Sequence, residues 1–348
     1  MSHGDKAITL AKQLGVDIAV IKDFSSNVNP FPPTDVIDFL VEKADLVRHY
    51  PDNTYESVVE IISRVFETPK SRIILGNGSI ELIKFFFLLN AGKKVLLPYP
   101  SFTEYERFAS IYGLRMLRAN VCSFHNPDFF TSVSANAVVL CNPNNPTGDL
   151  IPADVIEEIV KKCEMRDIMM LIDGAYMDFI PEQREYDFLL DYEHVMVTRS
   201  LTKILALPGL RVGYGFASKK VARKIQSIRD PWNLNILAQE VLMEYMPRLS
   251  EITEQTSRKV SKLRDEFIKD MNNISFAHPL NSKANFFLTK LDFDSEQLEY
   301  RLMERGILIR RCNDFFGLDD SFIRLCVRKK EDNTAFIRIL SGLSRQGV

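Results

Sequence analysis

Three short runs constrain this chain more than any other feature: AVVLC at 137–141, IMMLID at 168–173 and HVMVTRS at 194–200. Each is apolar along nearly its whole length, and each passes directly into polar residues. A strand without polar alternation is buried on both faces, which requires helices on both sides of its sheet. The intervening segments supply them. Residues 80–90 (IELIKFFFLLN) predict a buried helix stopped by Gly92, 101–112 a helix opened by Ser101, and 153–166 an amphipathic helix with Pro152 just before it. KVLLP at 94–98 adds a fourth strand. The pattern predicts an α/β fold, a large domain with a mostly parallel central sheet. Ligands in such sheets bind beyond the carboxyl ends of the strands. The polar residues fall there: 142–148 after one strand, Asp173 after the next, and 200–203 after the third.

The pattern changes after a helical stretch at 234–271. Strands at 284–290, 307–311 and 322–328, with helices near 295–305 and 331–344, predict a smaller α+β domain. The expected partition is 1–31, an N-terminal segment that joins the small domain or covers the site; 32–260, the large domain; and 261–348, the small domain. With 44 basic and 46 acidic residues the net charge is −2, which argues against a nucleic-acid partner. Apolar runs such as 85–89 fall far short of the roughly 20 residues of a membrane span, and the first 15 residues carry no signal-peptide core. The five cysteines are scattered and form no CxxC pair, so no disulfide scaffold or metal site is expected. A soluble cytoplasmic enzyme is the expectation.

Lys203 follows a buried strand, where desolvation lowers an amine's pKa enough for Schiff-base chemistry. Ser200, Thr202 and Arg211 lie near it in sequence and together resemble a phosphate cup. The loop NPNNPTG (142–148) is made rigid by its two Asn-Pro pairs and would hold an asparagine side chain at the sheet edge. Asp173, with Tyr176 three residues on, closes an apolar strand, where a carboxylate calls for a cation. Gly76-Asn77-Gly78-Ser79 turns into a helix whose first N–H groups can meet an anion. Taken singly, these segments also read as a solvated loop, a tight turn, a helix N-cap and a weak glycine turn.

Taken together, the order GNGS, PSF, NPNNPTG, D-x-x-Y, SLTK, GLR resembles the fold type I pyridoxal 5'-phosphate (PLP) enzymes of the class I/II aminotransferase superfamily. The resemblance spans essentially the whole chain. Within that superfamily the segments DFSSNVNP (23–30), RHYPD (48–52), PSFTEYERF (100–108), RSLTKILALPGLR (199–211), RDPWNLN (229–235) and GILIRRCNDFFGL (306–318) are most similar to the threonine-phosphate decarboxylases of cobalamin biosynthesis, and next to the histidinol-phosphate aminotransferases. The resemblance implies the following roles. Lys203 would carry PLP as a Schiff base and shuttle protons, and Asp173 would pair with the ring nitrogen. Asn145 and Tyr176 would hold the phenolic oxygen, and Phe102 would stack on the ring. The amides of Ser79 and Ile80, with Ser200, Thr202 and Arg211, would bind the cofactor phosphate. Tyr50 would reach that phosphate from the second subunit of a homodimer. Arg324 would grip the substrate carboxylate with help from Arg310, while His3, Asn29 and Asn145 would line the substrate end. The implied substrate is a small phosphorylated amino acid, threonine phosphate or serine phosphate, with histidinol phosphate transamination as the alternative. The chain departs from the family at Gly174, where Glu is usual.

Overall fold

The structure is a computed structural model and describes residues 6–180 and 192–345. Its strands in chain order are β1 (Lys22–Asp23), β2 (Ile73–Asn77), β3 (Lys94–Tyr99), β4 (Arg115–Asn120), β5 (Ala137–Cys141), β6 (Met169–Asp173), β7 (Val195–Arg199), β8 (Val212–Ala217), β9 (Ala277–Pro279), β10 (Phe286–Leu291), β11 (Ile307–Leu308), β12 (Arg310–Arg311) and β13 (Phe322–Cys326). Seven of them form one sheet in the order β2-β8-β7-β6-β5-β3-β4. The pairs β7–β6, β6–β5, β5–β3 and β3–β4 are parallel, while β8 runs antiparallel to both its neighbours.

The four strands read from sequence are present. β2, β4 and β8 were not predicted, and for β4 and β8 the reason is visible. β4 is a sheet-edge strand whose residues are mostly exposed, and it lacks an apolar face. β8 carries two glycines where side chains cannot fit. A Cβ on Gly213 would lie 2.3 Å from the Gly78 carbonyl carbon and from the Ser79 nitrogen, and one on Gly215 would lie 2.1 Å from the Val197 oxygen. These glycines bring β8 close against the start of the helix Ser79–Leu89 and against β7.

The expected helix start at Ser101 is displaced to Glu104, because the Ser101 hydroxyl donates instead to Asn144 Oδ1 at 2.8 Å. Apolar clusters lie on both faces of the sheet, one under Phe86, Phe87 and Tyr105 and another under Phe130, Ile156 and Ile172, which explains the continuous apolar runs of the central strands.

A second sheet, β12-β13-β10-β9, is antiparallel throughout. The segment ILIRR was read as one strand but is divided at Ile309. β11 pairs in parallel with β1, bringing the N-terminal segment beside Ile307, and β12 pairs with β13. The helix Leu249–Met271 spans between the two sheets, with buried Thr256 and Arg264 on one face. Arg264 donates to the Lys283 carbonyl at 2.8 Å ahead of β10.

Candidate active site

Asp173 is the last residue of β6 and is 4% exposed. Its Oδ2 accepts a 2.6 Å hydrogen bond from the Tyr105 hydroxyl; its Oδ1 accepts from the Ala175 amide at 3.2 Å and from Thr198 Oγ1 at 3.3 Å. Burial pushes the carboxyl pKa upward, and these donors and the charge of Lys203 pull against it. Tyr105 and Thr198 were not among the predicted residues. For Tyr105 the available signal was a tyrosine three residues beyond Phe102; Thr198 carried none, since its place opposite Asp173 is set by the pairing of β6 with β7. The ring of Phe102 meets Tyr105 edge-on at 5.5 Å, so it stands one side chain away from Asp173.

Lys203 lies in the short helix Leu201–Ile204 that follows β7. It keeps some solvent contact, yet protein packs closely around its amine. That desolvation, with the positive charges of Arg324 and Arg211, lowers its pKa to about 8, against the opposing charge of Asp173. The amine stands 6.0 Å from the centre of the Tyr176 ring. Tyr176 is buried, and its hydroxyl accepts from Asn27 Nδ2 at 3.2 Å.

Gly78, with φ +76°, turns the chain into the helix that starts at Ser79 and Ile80. A side chain at Gly78 would collide with Arg211, whose Nη2 lies 2.6 Å from the position of a Cβ. The Arg211 guanidinium is therefore held against the helix N-terminus. Ser200 and Thr202 are both buried, and their hydroxyls are hydrogen-bonded at 2.7 Å. A helix N-terminus beside an arginine forms an anion site.

The loop after β5 separates its three asparagines by role. Asn142 exchanges hydrogen bonds with Ile151, donating at 3.0 Å and accepting at 2.8 Å. Asn144 donates to the Pro100 carbonyl and to Thr147, both at 2.9 Å. Asn145 alone reaches the second sheet: its Oδ1 accepts from Arg324 Nη1 at 2.5 Å. Arg324 Nη2 donates to the Ser25 carbonyl at 2.8 Å, and its Nε is buried with no hydrogen-bond partner. Arg324 on β13 is the register partner of Arg310 on β12, and both are buried.

Not every predicted residue arrives at this cluster. Asn29 is buried, but its Nδ2 donates to the Ile204 carbonyl at 2.7 Å, to the Phe31 carbonyl at 3.1 Å and to Thr256 at 3.2 Å, while its Oδ1 accepts from the Phe31 amide. Its backbone amide also donates to the Lys203 carbonyl at 2.9 Å. The sequence reading expects Asn29 at the substrate end; in the structure its side-chain amide holds the backbone around Lys203. Tyr50 is 81% exposed and packs on Trp232 at 4.9 Å, outside the buried cluster. His3 lies outside the described residues. At Gly174 a Cβ would sit 3.1 Å from the Thr198 carbonyl and 3.3 Å from Arg199 Cδ, so the residue packs tightly on β7.

The fold, with a desolvated lysine near a buried carboxylate and an arginine at a helix N-terminus, is that of the fold type I PLP-dependent enzymes. Residues 20–340 match the family described as aminotransferase class I and II, and the chain belongs to that family. It is 34% identical over 93% of its length to a protein of Caldanaerobacter subterraneus subsp. tengcongensis named provisionally as a threonine-phosphate decarboxylase, covering 90% of that relative. Among solved structures it resembles the histidinol-phosphate aminotransferase of Clostridium acetobutylicum (30% identity, TM-score 0.86, 94% of this chain and 100% of that one). It resembles equally the L-threonine-O-3-phosphate decarboxylase of Porphyromonas gingivalis (25% identity, TM-score 0.86, 93% and 100%).

The family's cofactor is PLP, and the donor set fits it. Asp173 can meet a protonated ring nitrogen, Lys203 offers an amine to an aldehyde, and the Ser79 helix end with Arg211 suits a phosphate. Among the described residues there is no cluster that could hold a metal, and no helix is long and apolar enough to cross a membrane.

Proposed function

We propose that the chain is a cytoplasmic, homodimeric carboxy-lyase that decarboxylates L-threonine O-3-phosphate to (R)-1-aminopropan-2-yl phosphate in cobalamin biosynthesis, with serine phosphate as a further substrate. The observation that carries this reading is the buried pair Arg310 and Arg324, register partners on adjacent strands beside Asn145. An amino-acid phosphate has two anionic groups, and two cations on one edge can hold both.

PLP supplies an electron sink for the pair released when a bond to the substrate Cα breaks. The chain decides which bond breaks. Asp173 would keep a proton on the ring nitrogen, because a buried carboxylate favours an adjacent cation. Asn145 and Tyr176 would hold the phenolic oxygen, and Phe102 would cover the ring. Ser79, Ile80, Ser200, Thr202 and Arg211 would bind the cofactor phosphate, joined by Tyr50 from the second subunit. Arg324 would grip and orient the substrate carboxylate, while Arg310 would take the phosphate. Lys203, with its depressed pKa, would return a proton to Cα once carbon dioxide has left.

The alternative is transamination of histidinol phosphate, supported by the equal structural likeness to an enzyme of that name. Histidinol phosphate has no carboxylate, so the bond held perpendicular would be Cα–H. The deciding experiment incubates the PLP-loaded protein with threonine phosphate and, separately, with histidinol phosphate plus 2-oxoglutarate. Carbon dioxide from the first is expected. Glutamate from the second with no carbon dioxide from the first would replace the proposal by the alternative. For the shared site, inactive Lys203→Ala subunits mixed with Tyr50→Ala subunits should regain activity, since one site of each hybrid is then complete. Hybrids that form but stay as inactive as their parents would place Tyr50 outside the site.

A further inference from the structure

A cavity of about 420 Å³ opens beside the site, with Tyr99, Phe102 and Tyr105 on one wall and Asp314, Phe315 and Phe316 on the other. One wall touches the cofactor side, since Tyr105 bonds Asp173. The other carries Asp314. Arg310 Nη2 donates to both carboxylate oxygens of Asp314 at 2.8 Å, and Arg310 also donates to the Arg311 carbonyl. The guanidinium lies over the Phe315 ring at 4.9 Å. The two partners differ in exposure: the Arg310 side chain is 9% exposed and that of Asp314 is 44% exposed.

The backbone around Asp314 is anchored. Phe315 is buried, Phe316 meets Tyr99 edge-on at 5.2 Å beneath the Arg118 guanidinium, and a side chain at Gly317 would strike the Tyr99 ring. The carboxylate can therefore leave Arg310 by rotating into the cavity while the strap stays in place. Such a carboxylate is chemically the same kind of ligand that Arg310 would receive from a substrate.

We propose that Asp314 is an internal competitor for the anion site at Arg310, a side-chain latch that every incoming anion must displace and that sets an affinity threshold only a doubly charged group such as phosphate clears. This rests on the reading of Arg310 as the contact for the substrate phosphate. A carboxylate entering here exchanges one single charge for another and gains little. A phosphate dianion brings a second charge to the guanidinium pair of Arg310 and Arg324. The arrangement also keeps the buried Arg310 compensated: its pKa is lowered by burial and by the charge of Arg324, with Asp314 opposing.

The test uses inorganic phosphate and acetate as probes, titrated calorimetrically into the PLP-loaded enzyme so that the cofactor's own phosphate site is filled. Asp314→Asn, nearly isosteric at a half-exposed position, is expected to bind phosphate roughly tenfold more tightly, because a charge-assisted competitor is gone; acetate should gain by a similar factor. Asp314→Ser should shift both in the same direction. In an Arg310→Gln background, phosphate binding should weaken and Asp314→Asn should no longer tighten it. Unchanged or weaker phosphate binding in both Asp314 variants, with Arg310→Gln still weakening it, would overturn the latch while leaving Arg310 as the anion contact. An equal gain with and without Arg310 would overturn it too, as a general charge effect. Phosphate binding indifferent to Arg310→Gln would remove the anion site and the latch together. None of these readouts depends on which bond at Cα is broken, so they stand apart from the decarboxylase assay.

Discussion

The two halves of the site are built on different physical terms. The half at Lys203 and Asp173 sits at the carboxyl ends of parallel strands in one sheet, and its groups are positioned by hydrogen bonds that leave the reactive atoms in place: Asp173 by Tyr105, Thr198 and Ala175, and the Lys203 backbone by Asn29. The half at Arg310 and Arg324 sits on the second sheet and is already engaged by protein groups that resemble a ligand, namely the Asn145 amide oxygen, the Ser25 carbonyl and the Asp314 carboxylate. The contrast teaches that the cofactor half is pre-organised for one partner, whereas the arginine half is contested. Pre-organised groups serve chemistry common to a family, because no reorganisation is needed as charge develops. Contested groups set specificity, because a ligand must outcompete what is there.

The sharpest way to break the contrast is at Lys203. Lys203→Ala should abolish the borohydride-reducible link between protein and cofactor and lower turnover by roughly three orders of magnitude or more. A retained covalent link would move the amine's role to another residue. In the wild-type protein stripped of cofactor, the amine should lose its proton around pH 8. The folded pKa lies below that of a free lysine, so the reactive neutral form is already abundant near pH 8. The rate of cofactor capture should then rise through pH 8 and level off above it. A rate still climbing steadily past pH 10 would mean that the amine is not desolvated.

Asp173→Asn keeps the shape and removes the charge. Turnover should fall by roughly two to three orders of magnitude, as for loss of a pre-organised electrostatic group. Near-normal turnover would show that a different acid serves the ring nitrogen.

Arg324→Ala tests the contested half. Each charge-assisted hydrogen bond contributes about 1.5–3 kcal/mol, so KM for threonine phosphate should rise by about tenfold or more. The share of product formed by abortive transamination should rise as well, since the carboxylate is no longer held out of the ring plane. An unchanged product ratio would separate binding from orientation.

The smallest expected effect is at Tyr105. Tyr105→Phe removes one donor to Asp173 and leaves Thr198 and Ala175. Turnover should fall by about tenfold, the loss of one hydrogen bond to a charged group, and the pH at which the bound cofactor's absorbance changes should shift. An unmoved absorbance titration would make Tyr105 a packing residue.

The local sequence determined the parts that depend on neighbours along the chain. Runs without polar alternation must be buried on both faces, and polar residues directly after such strands must emerge at one sheet edge; hence 142–148, Asp173 and 200–203 were legible as a candidate site. Lys203 and Asp173 were singled out for that reason. The antiparallel β8 was not, because its glycines answer to Gly78 and Val197, partners distant in sequence. Read locally, the loop after β5 presented three similar asparagines, and it was the family resemblance, not the local pattern, that singled out Asn145. The tertiary structure carries Arg324 to Asn145 across 179 residues, and only the packing of the strap after β12 set Asp314 against Arg310. A strand end is a local property of the chain. A hydrogen-bond partner on another sheet is decided by how the two sheets pack, which no local pattern encodes.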